Sequence, residues 1–267
     1  MKNRAELHKT VTKILEAGGI SDAPLEAQWI LEDVQNEEDA LEIAKKRANH
    51  EPLQYLLGKW EFYGLPLYVG AGVLIPRADT ETLVDAILQR VSPQAALQII
   101  DLCTGSGCIG CAVAHELPAT RVVCVDISAA ALEICRKNTV LNKLSSRVIA
   151  MQADAQSSPP MGIGRFDVIV SNPPYISSSE IPSLDHSVKD YEPMWALDGG
   201  EDGLIFYRKI SGEAPKYLKN GGYLLFEIGD TQGEAVSALM RENGFSNVSV
   251  HKDLAGLDRV VEGRLYV

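Results

Sequence analysis

The spacing of apolar residues divides the chain into a helical first part and a longer part that alternates between strand and helix patterns. Residues 1–57 contain no alternating β-branched run, and Leu25, Trp29, Ile30 and Val34 recur near the helical period. This spacing predicts a small helical N-terminal subdomain over residues 1–57.

A different pattern follows in residues 58–76. Aromatic and β-branched residues on both sides of Gly64-Leu65-Pro66 predict a connecting β-hairpin that turns near these three residues. The third part, residues 77–267, contains repeated βα units, which imply a mostly parallel sheet covered by helices on both faces. The last two of its strands should form a closing pair. The predicted strands are 97–102, 121–125, 147–151, 166–170, 223–228, 248–251 and 259–267.

Composition and charge narrow the functional class. The chain has 267 residues, of which 46% are hydrophobic and 23% charged, as in an ordinary soluble enzyme. Its net charge of −11 disfavours direct binding to nucleic acid, where basic surface supplies most of the affinity. We find no apolar stretch long enough to span a bilayer and no apolar signal region at the N-terminus. We therefore expect a cytoplasmic protein without membrane contact.

The cysteines raise the question of a metal site. There are five, and the spacing Cys103-x4-Cys108-x2-Cys111 matches a plant-type iron–sulfur pattern. These residues, however, straddle a glycine turn and the start of a predicted helix, and no distant fourth cysteine follows in a loop. We therefore expect small buried core residues and no metal.

A glycine-rich turn is the first sign of cofactor chemistry. Gly105, Gly107 and Gly110 satisfy GxGxxG between a predicted strand and a predicted helix. Asp126 ends the next strand, where a carboxylate can accept hydrogen bonds from ribose hydroxyls. Taken alone, this pattern fits a nicotinamide cofactor nearly as well as a methyl donor.

The sequence Ser171-Asn172-Pro173-Pro174-Tyr175 is the second sign. Two prolines end the preceding strand and stiffen the backbone. The Asn172 side-chain oxygen and the Pro173 carbonyl can accept both hydrogens of a planar NH2 group, and Tyr175 can cover its face. We predict Asn172, Pro173 and Tyr175 as catalytic, and Asn172 through Tyr175 as substrate-binding, with catalysis by positioning. These residues alone leave an adenine amino group and a glutamine amide equally open.

Asp101, at the end of the first strand of the βα units, favours a methyl donor over a nicotinamide cofactor. Asp101 and the glycines after it resemble the S-adenosylmethionine-dependent methyltransferase pattern Asp/Glu-x-Gly-x-Gly-x-Gly. Cys103 departs from this pattern, which usually has glycine there, and Ala155 stands where a tryptophan often flanks the adenine. Asp154 matches the acid that contacts the adenine amino group. The resemblance implies S-adenosylmethionine as cofactor, S-adenosylhomocysteine as product, and the following donor-binding residues: Asp101, Cys103, Thr104, Gly105, Ser106, Gly107, Asp126, Asp154, Ala155 and Asn172.

An ordered set of further motifs closely resembles the release-factor glutamine methyltransferase family (HemK/PrmC). The resemblance implies a Rossmann-like class I methyltransferase domain, with a mixed, mostly parallel seven-stranded sheet and a small helical N-terminal domain. It also implies methyl transfer to the side-chain amide nitrogen (N5) of the Gly-Gly-Gln glutamine in peptide-chain release factors. We expect a monomer. A glutamine methyltransferase of a ribosomal protein and an adenine-N6 nucleic-acid methyltransferase are the alternatives. Ala78 departs from the family, which commonly has a second proline there. The motifs lie at 55–58, 61–64, 73–81, 172–176, 191–193, 196–200, 202–204, 207–208, 227–229 and 253–259.

Overall fold

The secondary structure of the protein comes from a computed structural model that describes residues 3–157 and 164–266. Its helices are α1 (Arg4–Ala17), α2 (Ala23–Asp33), α3 (Glu37–Ala48), α4 (Leu53–Leu57), α5 (Glu81–Leu88), α6 (Cys108–Glu116), α7 (Ala129–Leu141), α8 (His186–Lys189), α9 (Ile205–Tyr217) and α10 (Gly233–Glu242). Its strands are β1 (Lys59–Phe62), β2 (Leu65–Tyr68), β3 (Gln98–Leu102), β4 (Arg121–Asp126), β5 (Val148–Gln152), β6 (Phe166–Ser171), β7 (Leu218–Glu227), β8 (Phe245–Lys252) and β9 (Asp258–Leu265). Short 3-10 turns cover Ala78–Thr80, Ile181–Ser183 and Met194–Ala196.

Seven strands form one sheet in the order β5-β4-β3-β6-β7-β9-β8. The strands from β5 to β7 pair in parallel, and β9 runs antiparallel to both of its neighbours. Successive residues of β3 face opposite sides, so that Ile99 packs in one apolar cluster with α5 and α6, while Ile100 packs in a second with α9 and α10. The predicted mixed, mostly parallel seven-stranded sheet, covered on both faces, is confirmed.

The first four helices pack around an apolar cluster of their own. Val11, Leu15 and Ile30 are fully buried in this cluster. Asn3 accepts a hydrogen bond at the start of α1, and Asn36 does so at the start of α3, so both helices begin at side-chain caps. The predicted helical character of this part is confirmed, whereas the bound at residue 57 stays a prediction.

No helix in the described ranges 3–157 and 164–266 combines the length and the apolar character that crossing a membrane requires.

The connecting hairpin turns earlier than predicted. Tyr63 and Gly64 form its turn, with φ angles of 51° and 71°, as a tight two-residue hairpin loop requires. The prediction of a turn through Leu65 and Pro66 was wrong, because both residues belong to β2. Pro66 pairs with Glu61 in this two-stranded sheet, where an edge strand tolerates the missing N–H of proline.

The sheet changes direction between β3 and β6, which lie side by side. From β3 the chain moves outward to β4 and β5, and it then returns to β6 on the other side and continues to β7. In an open α/β sheet, such a switch leaves a crevice at the carboxyl ends of the two central strands. The glycine turn follows β3 and the Asn172 segment follows β6, so both open into this crevice.

Candidate active site

The glycine turn after β3 adopts a backbone that most residues avoid. Cys103, Gly105 and Gly107 have φ angles of 59°, 55° and 80°. A Cβ atom on Gly107 would lie 2.6 Å from the Sγ of Cys135, so only glycine fits there without displacement. A Cβ on Gly105 would meet no atom within 4 Å, which leaves the backbone open to a ligand at that point.

Asp101 lies beneath this turn and does not line the crevice. Its side chain is fully buried, and its Oδ2 accepts hydrogen bonds from the Thr104 hydroxyl at 2.5 Å and the Gly110 N–H at 3.2 Å. Burial raises the pKa of Asp101 to about 7, and these two hydrogen bonds oppose the rise. Asp101 therefore stabilises the glycine turn through these two hydrogen bonds. The predicted contact with the donor is not supported by its position.

Asp126, at the end of β4, lines the crevice. Its Oδ2 accepts the Gly105 N–H at 2.8 Å, and its Oδ1 accepts the Ser128 N–H at 2.9 Å. Burial raises the pKa of this carboxyl, and the backbone donors oppose the rise. Asp126 thus couples the end of β4 to the glycine turn and retains lone pairs for hydroxyl donors in the crevice.

The segment after β5 forms the next part of the wall. Asp154 is half-buried, and its carboxylate accepts from the Gln156 N–H at 2.8 Å and the Ser157 hydroxyl at 3.1 Å. Ala155 lines the same wall, and Ile127 faces it with 57% of its surface exposed. An apolar side chain held open in a crevice can cover a flat ring, and the prediction missed Ile127 although it directly follows Asp126.

The Asn172 corner forms the opposite wall. The Ser171 hydroxyl donates to the Leu102 carbonyl at 2.7 Å, which joins the ends of β6 and β3. Asn172 and Pro174 line the crevice, whereas Pro173 is buried and is not part of the lining. None of the described residues donates a hydrogen bond to the Pro173 carbonyl.

Tyr175 turns away from the crevice in this structure. Its ring packs against the apolar cluster around α9, and its carbonyl accepts from the Gln232 side chain at 3.0 Å. Burial raises the pKa of the Tyr175 phenol, and the nearby Glu227 carboxyl adds to the rise. The predicted role of this ring in covering the substrate stays a prediction.

Several other residues of the crevice were not among the predicted site residues. Arg77 pairs with Glu192, whose second oxygen accepts the Ile75 N–H at 3.0 Å. Glu81 does not pair with Arg77 but accepts the Tyr63 N–H at 2.8 Å. The resemblance at 73–81 was the signal that could have pointed to this segment. The crevice is lined by the predicted Cys103, Thr104, Gly105, Ser106, Asp126, Asp154, Ala155, Asn172 and Pro174, and by the unpredicted Arg77, Thr80, Ile127, Trp195 and Phe206.

The cysteines belong to the core. Cys108, Cys111, Cys124 and Cys135 are buried, and Cys103 is partly buried. Within residues 3–157 and 164–266, no group of histidine, cysteine, aspartate and glutamate side chains is arranged to hold a metal ion.

Comparison with known proteins identifies the family. Residues 78–186 match the model described as methyltransferase small domain. The release factor glutamine methyltransferase of Geobacter sulfurreducens is 40% identical over 265 residues, covering 92% of this chain and 91% of its own length. The enzyme of that name from Clostridium acetobutylicum is 43% identical over 223 residues, covering 84% and 77%. The chain belongs to the release factor glutamine methyltransferase family. A methyltransferase structure from Pyrococcus furiosus shares the fold, with a TM-score of 0.55 and 17% identity. The match covers 77% of this chain and 91% of the Pyrococcus chain.

The methyl donor of this family is S-adenosylmethionine, and the product is S-adenosylhomocysteine. The crevice fits such a donor, because an open backbone at Gly105 lies beside two carboxylates, Asp126 and Asp154, and the exposed apolar face of Ile127. The resemblance of the sequence to S-adenosylmethionine-dependent methyltransferases is thereby confirmed at the level of the cofactor.

Proposed function

We propose that the protein transfers a methyl group from S-adenosylmethionine to the side-chain amide nitrogen of the glutamine in the Gly-Gly-Gln motif of peptide-chain release factors. The names of its relatives support the substrate. The observation that carries the proposal is the pairing of Leu102 with Ser171 in neighbouring strands. This pairing brings Cys103, which begins the glycine turn, and Asn172 to adjacent positions on the two walls of one crevice.

In this proposal the donor lies along the first wall. Gly105 would present its backbone, Asp126 would accept hydrogen bonds from the ribose hydroxyls, and Asp154 would accept one from the adenine amino group while Ile127 covers the ring. When bound, S-adenosylmethionine supplies an electrophilic methyl group.

The second wall holds the glutamine. The Asn172 side-chain oxygen would accept one amide hydrogen. The Pro173 carbonyl would accept the other, because no described residue donates to it, although the rest of Pro173 is buried behind the crevice lining. These two bonds would fix the nitrogen and increase its electron density. The nitrogen held by these acceptors would take the methyl group, the sulfur of the donor would keep the electron pair of the broken bond, and the nitrogen would release one proton to water. Such a reaction gains most from fixed orientation, because no covalent enzyme intermediate is needed.

The test is incubation of the purified protein with isotope-labelled donor and a release factor whose Gly-Gly-Gln glutamine is intact or replaced by alanine. We expect label only in the intact protein, on the glutamine that mass spectrometry of its peptides identifies. Ribosomal proteins and adenine-containing DNA are assayed in parallel. Equal labelling of both release factors, or labelling of ribosomal protein or DNA alone, would contradict the proposal.

A further inference from the structure

Two side chains from distant parts of the sequence, Thr80 and Glu227, meet behind Asn172. Thr80 comes from the 3-10 turn before α5, and Glu227 ends β7. Both are only 2% exposed. The Asn172 Nδ2 donates to the Thr80 Oγ1 at 3.3 Å, and the Glu227 carboxyl lies close to both side chains, whose contacts oppose the rise of its pKa.

The hydrogen-bonding chemistry of these groups gives the cluster a direction. A carboxylate only accepts hydrogen bonds, so an ionised Glu227 leaves the Thr80 hydroxyl to act as a donor toward it, while the Thr80 oxygen accepts from Asn172. The Asn172 amide then directs its NH2 group at Thr80 and leaves its oxygen for the crevice. If the Asn172 amide were reversed, its oxygen would face the Thr80 oxygen, which cannot then accept a hydrogen bond from it. Its NH2 group would face the hydrogens of the substrate amide.

We propose that Thr80 and Glu227 are positioning residues, which fix the Asn172 amide with its oxygen toward the substrate nitrogen. The kinetic test of this inference rests on the proposed function, because it measures methylation of a release factor. It also explains why a carboxyl group is buried at the end of β7, where no described residue hydrogen-bonds its Oε2. A buried polar atom without a partner is costly, and such costs are commonly found at functional sites.

The protonation state of Glu227 matters for this arrangement. Burial raises the pKa of Glu227 to about 7, and contacts with Thr80, Arg259 and Asn172 oppose the rise. Asp79 and Arg259 are the charged groups that face this carboxyl, and Tyr175, Tyr207 and Cys108 are the neutral titratable groups close to it. A protonated Glu227 can donate to Thr80, which frees the hydroxyl to turn toward the Asn172 oxygen. At low pH the hydrogen bonds among Glu227, Thr80 and Asn172 therefore no longer fix the orientation of the Asn172 amide.

The test compares Thr80→Val, which keeps the shape and removes the hydroxyl, with Thr80→Ser, which keeps the hydroxyl. We expect kcat for release-factor methylation to fall on the order of 10- to 100-fold in Thr80→Val, as for other residues that orient a ligand-binding group, and by less than about threefold in Thr80→Ser. The affinity for S-adenosylhomocysteine and the unfolding midpoint should stay near those of the wild type in both. An unchanged kcat in Thr80→Val, or an equal loss in both variants, would overturn the proposal.

Two further readouts separate positioning from a purely structural role. The kcat of the wild type should fall on the acid side of neutrality, and Glu227→Gln should have a low kcat without this acid limb. Persistence of the limb in Glu227→Gln would assign it to another group, such as Asp101, and would contradict the proposal. Without any substrate, the NMR signals of the Asn172 NH2 group, assigned by their loss in Asn172→Asp, should shift in Thr80→Val and not in Thr80→Ser. If wild-type protein fails to methylate release factor, the proposed function fails, while this spectrum still tests the positioning.

Discussion

The two walls of the crevice are held together in different ways. On the wall of the glycine turn, the bonds join residues close in sequence: Thr104 to Asp101 over 3 positions, Gly110 to Asp101 over 9, and Gly105 to Asp126 over 21. On the wall of Asn172, the bonds span much longer distances along the chain.

The hydrogen bonds of the Asn172 wall join residues that are far apart in the sequence. Asn172 and Thr80 are 92 positions apart, Arg77 and Glu192 are 115 apart, and Gln232 and Tyr175 are 57 apart. The bonds of the glycine-turn wall need only β3, β4 and the helices that follow these strands, whereas those of the Asn172 wall join segments from distant parts of the chain. We therefore expect substitutions on the two walls to separate donor binding from methyl transfer.

The largest separation is expected for Asn172→Ala. Removing the acceptor that holds the amide nitrogen should lower kcat on the order of 100- to 1,000-fold, as loss of a single transition-state hydrogen bond does in other enzymes. The affinity for S-adenosylhomocysteine, measured by calorimetry, should change little because the glycine turn and Asp126 are untouched. Gln98→Ala, exposed at the opposite end of β3, is the matched control. If Asn172→Ala lowered the affinity for S-adenosylhomocysteine as much as it lowered kcat, the two walls would not separate donor binding from methyl transfer.

On the wall of the glycine turn, Gly107→Ala is expected to lower the stability of the fold. The new Cβ would lie 2.6 Å from the Cys135 Sγ and the φ angle is 80°, so overpacking and backbone strain together should lower the free energy of unfolding by about 2–5 kcal/mol. Gly105→Ala meets no atom within 4 Å and should cost only about 1–2 kcal/mol for its positive φ. Urea unfolding measures both.

A second background isolates the contact with Cys135. In Cys135→Ala the sulfur is absent and the nearest remaining atom is the Cβ of residue 135 at 3.3 Å, so introducing Gly107→Ala should cost less than it does in the wild type and approach the roughly 1–2 kcal/mol of a positive φ alone. If Gly107→Ala costs the same with and without the Cys135 sulfur, the clash is not what makes glycine necessary at this position.

Glu227 gives the Asn172 wall a signature in the pH dependence of stability. Its folded-state pKa of about 7 lies above its ordinary value of 4.5, so the folded protein holds a proton that the unfolded chain releases between these values. Stability should therefore fall as pH rises from about 4.5 to 7, by on the order of 3 kcal/mol for this group. Glu227→Gln should flatten that fall and be more stable than the wild type at pH 8, while its methylation rate is lower.

Urea unfolding at several pH values measures this effect, and Glu234→Gln on the exposed surface of α10 is the control. An unchanged slope in Glu227→Gln would mean that the carboxyl is already ionised in the folded protein at low pH.

The difference between the walls also explains what could be predicted from the sequence. The βα alternation, the glycine turn and Asp126 depend on local patterns, so the sheet was predicted correctly and most of the predicted donor-binding residues line one crevice, while their contact with the donor stays a prediction. Thr80 and Glu227 lie in the family motifs at 73–81 and 227–229, but these motifs do not show that the two side chains meet Asn172, because that meeting depends on three segments that only the folded sheet brings together. Asp101 was placed at the donor by resemblance, whereas its buried side chain reaches the turn from below.

The smallest predicted effect concerns Cys103, where the sequence departs from the glycine of the methyltransferase pattern. The size of a cysteine suggests only slight crowding, but the structure shows that the relevant constraint is the φ angle of 59°. A left-handed backbone costs a residue with a Cβ about 1–2 kcal/mol relative to glycine. Cys103→Gly and Cys103→Ala both remove the sulfur, and only the first relieves this strain. We expect Cys103→Gly to be more stable than Cys103→Ala by about 1 kcal/mol in urea unfolding. Equal stability of the two variants would show that the turn accepts a Cβ here without cost, and that the donor wall is less constrained by its local backbone than its three positive φ angles indicate.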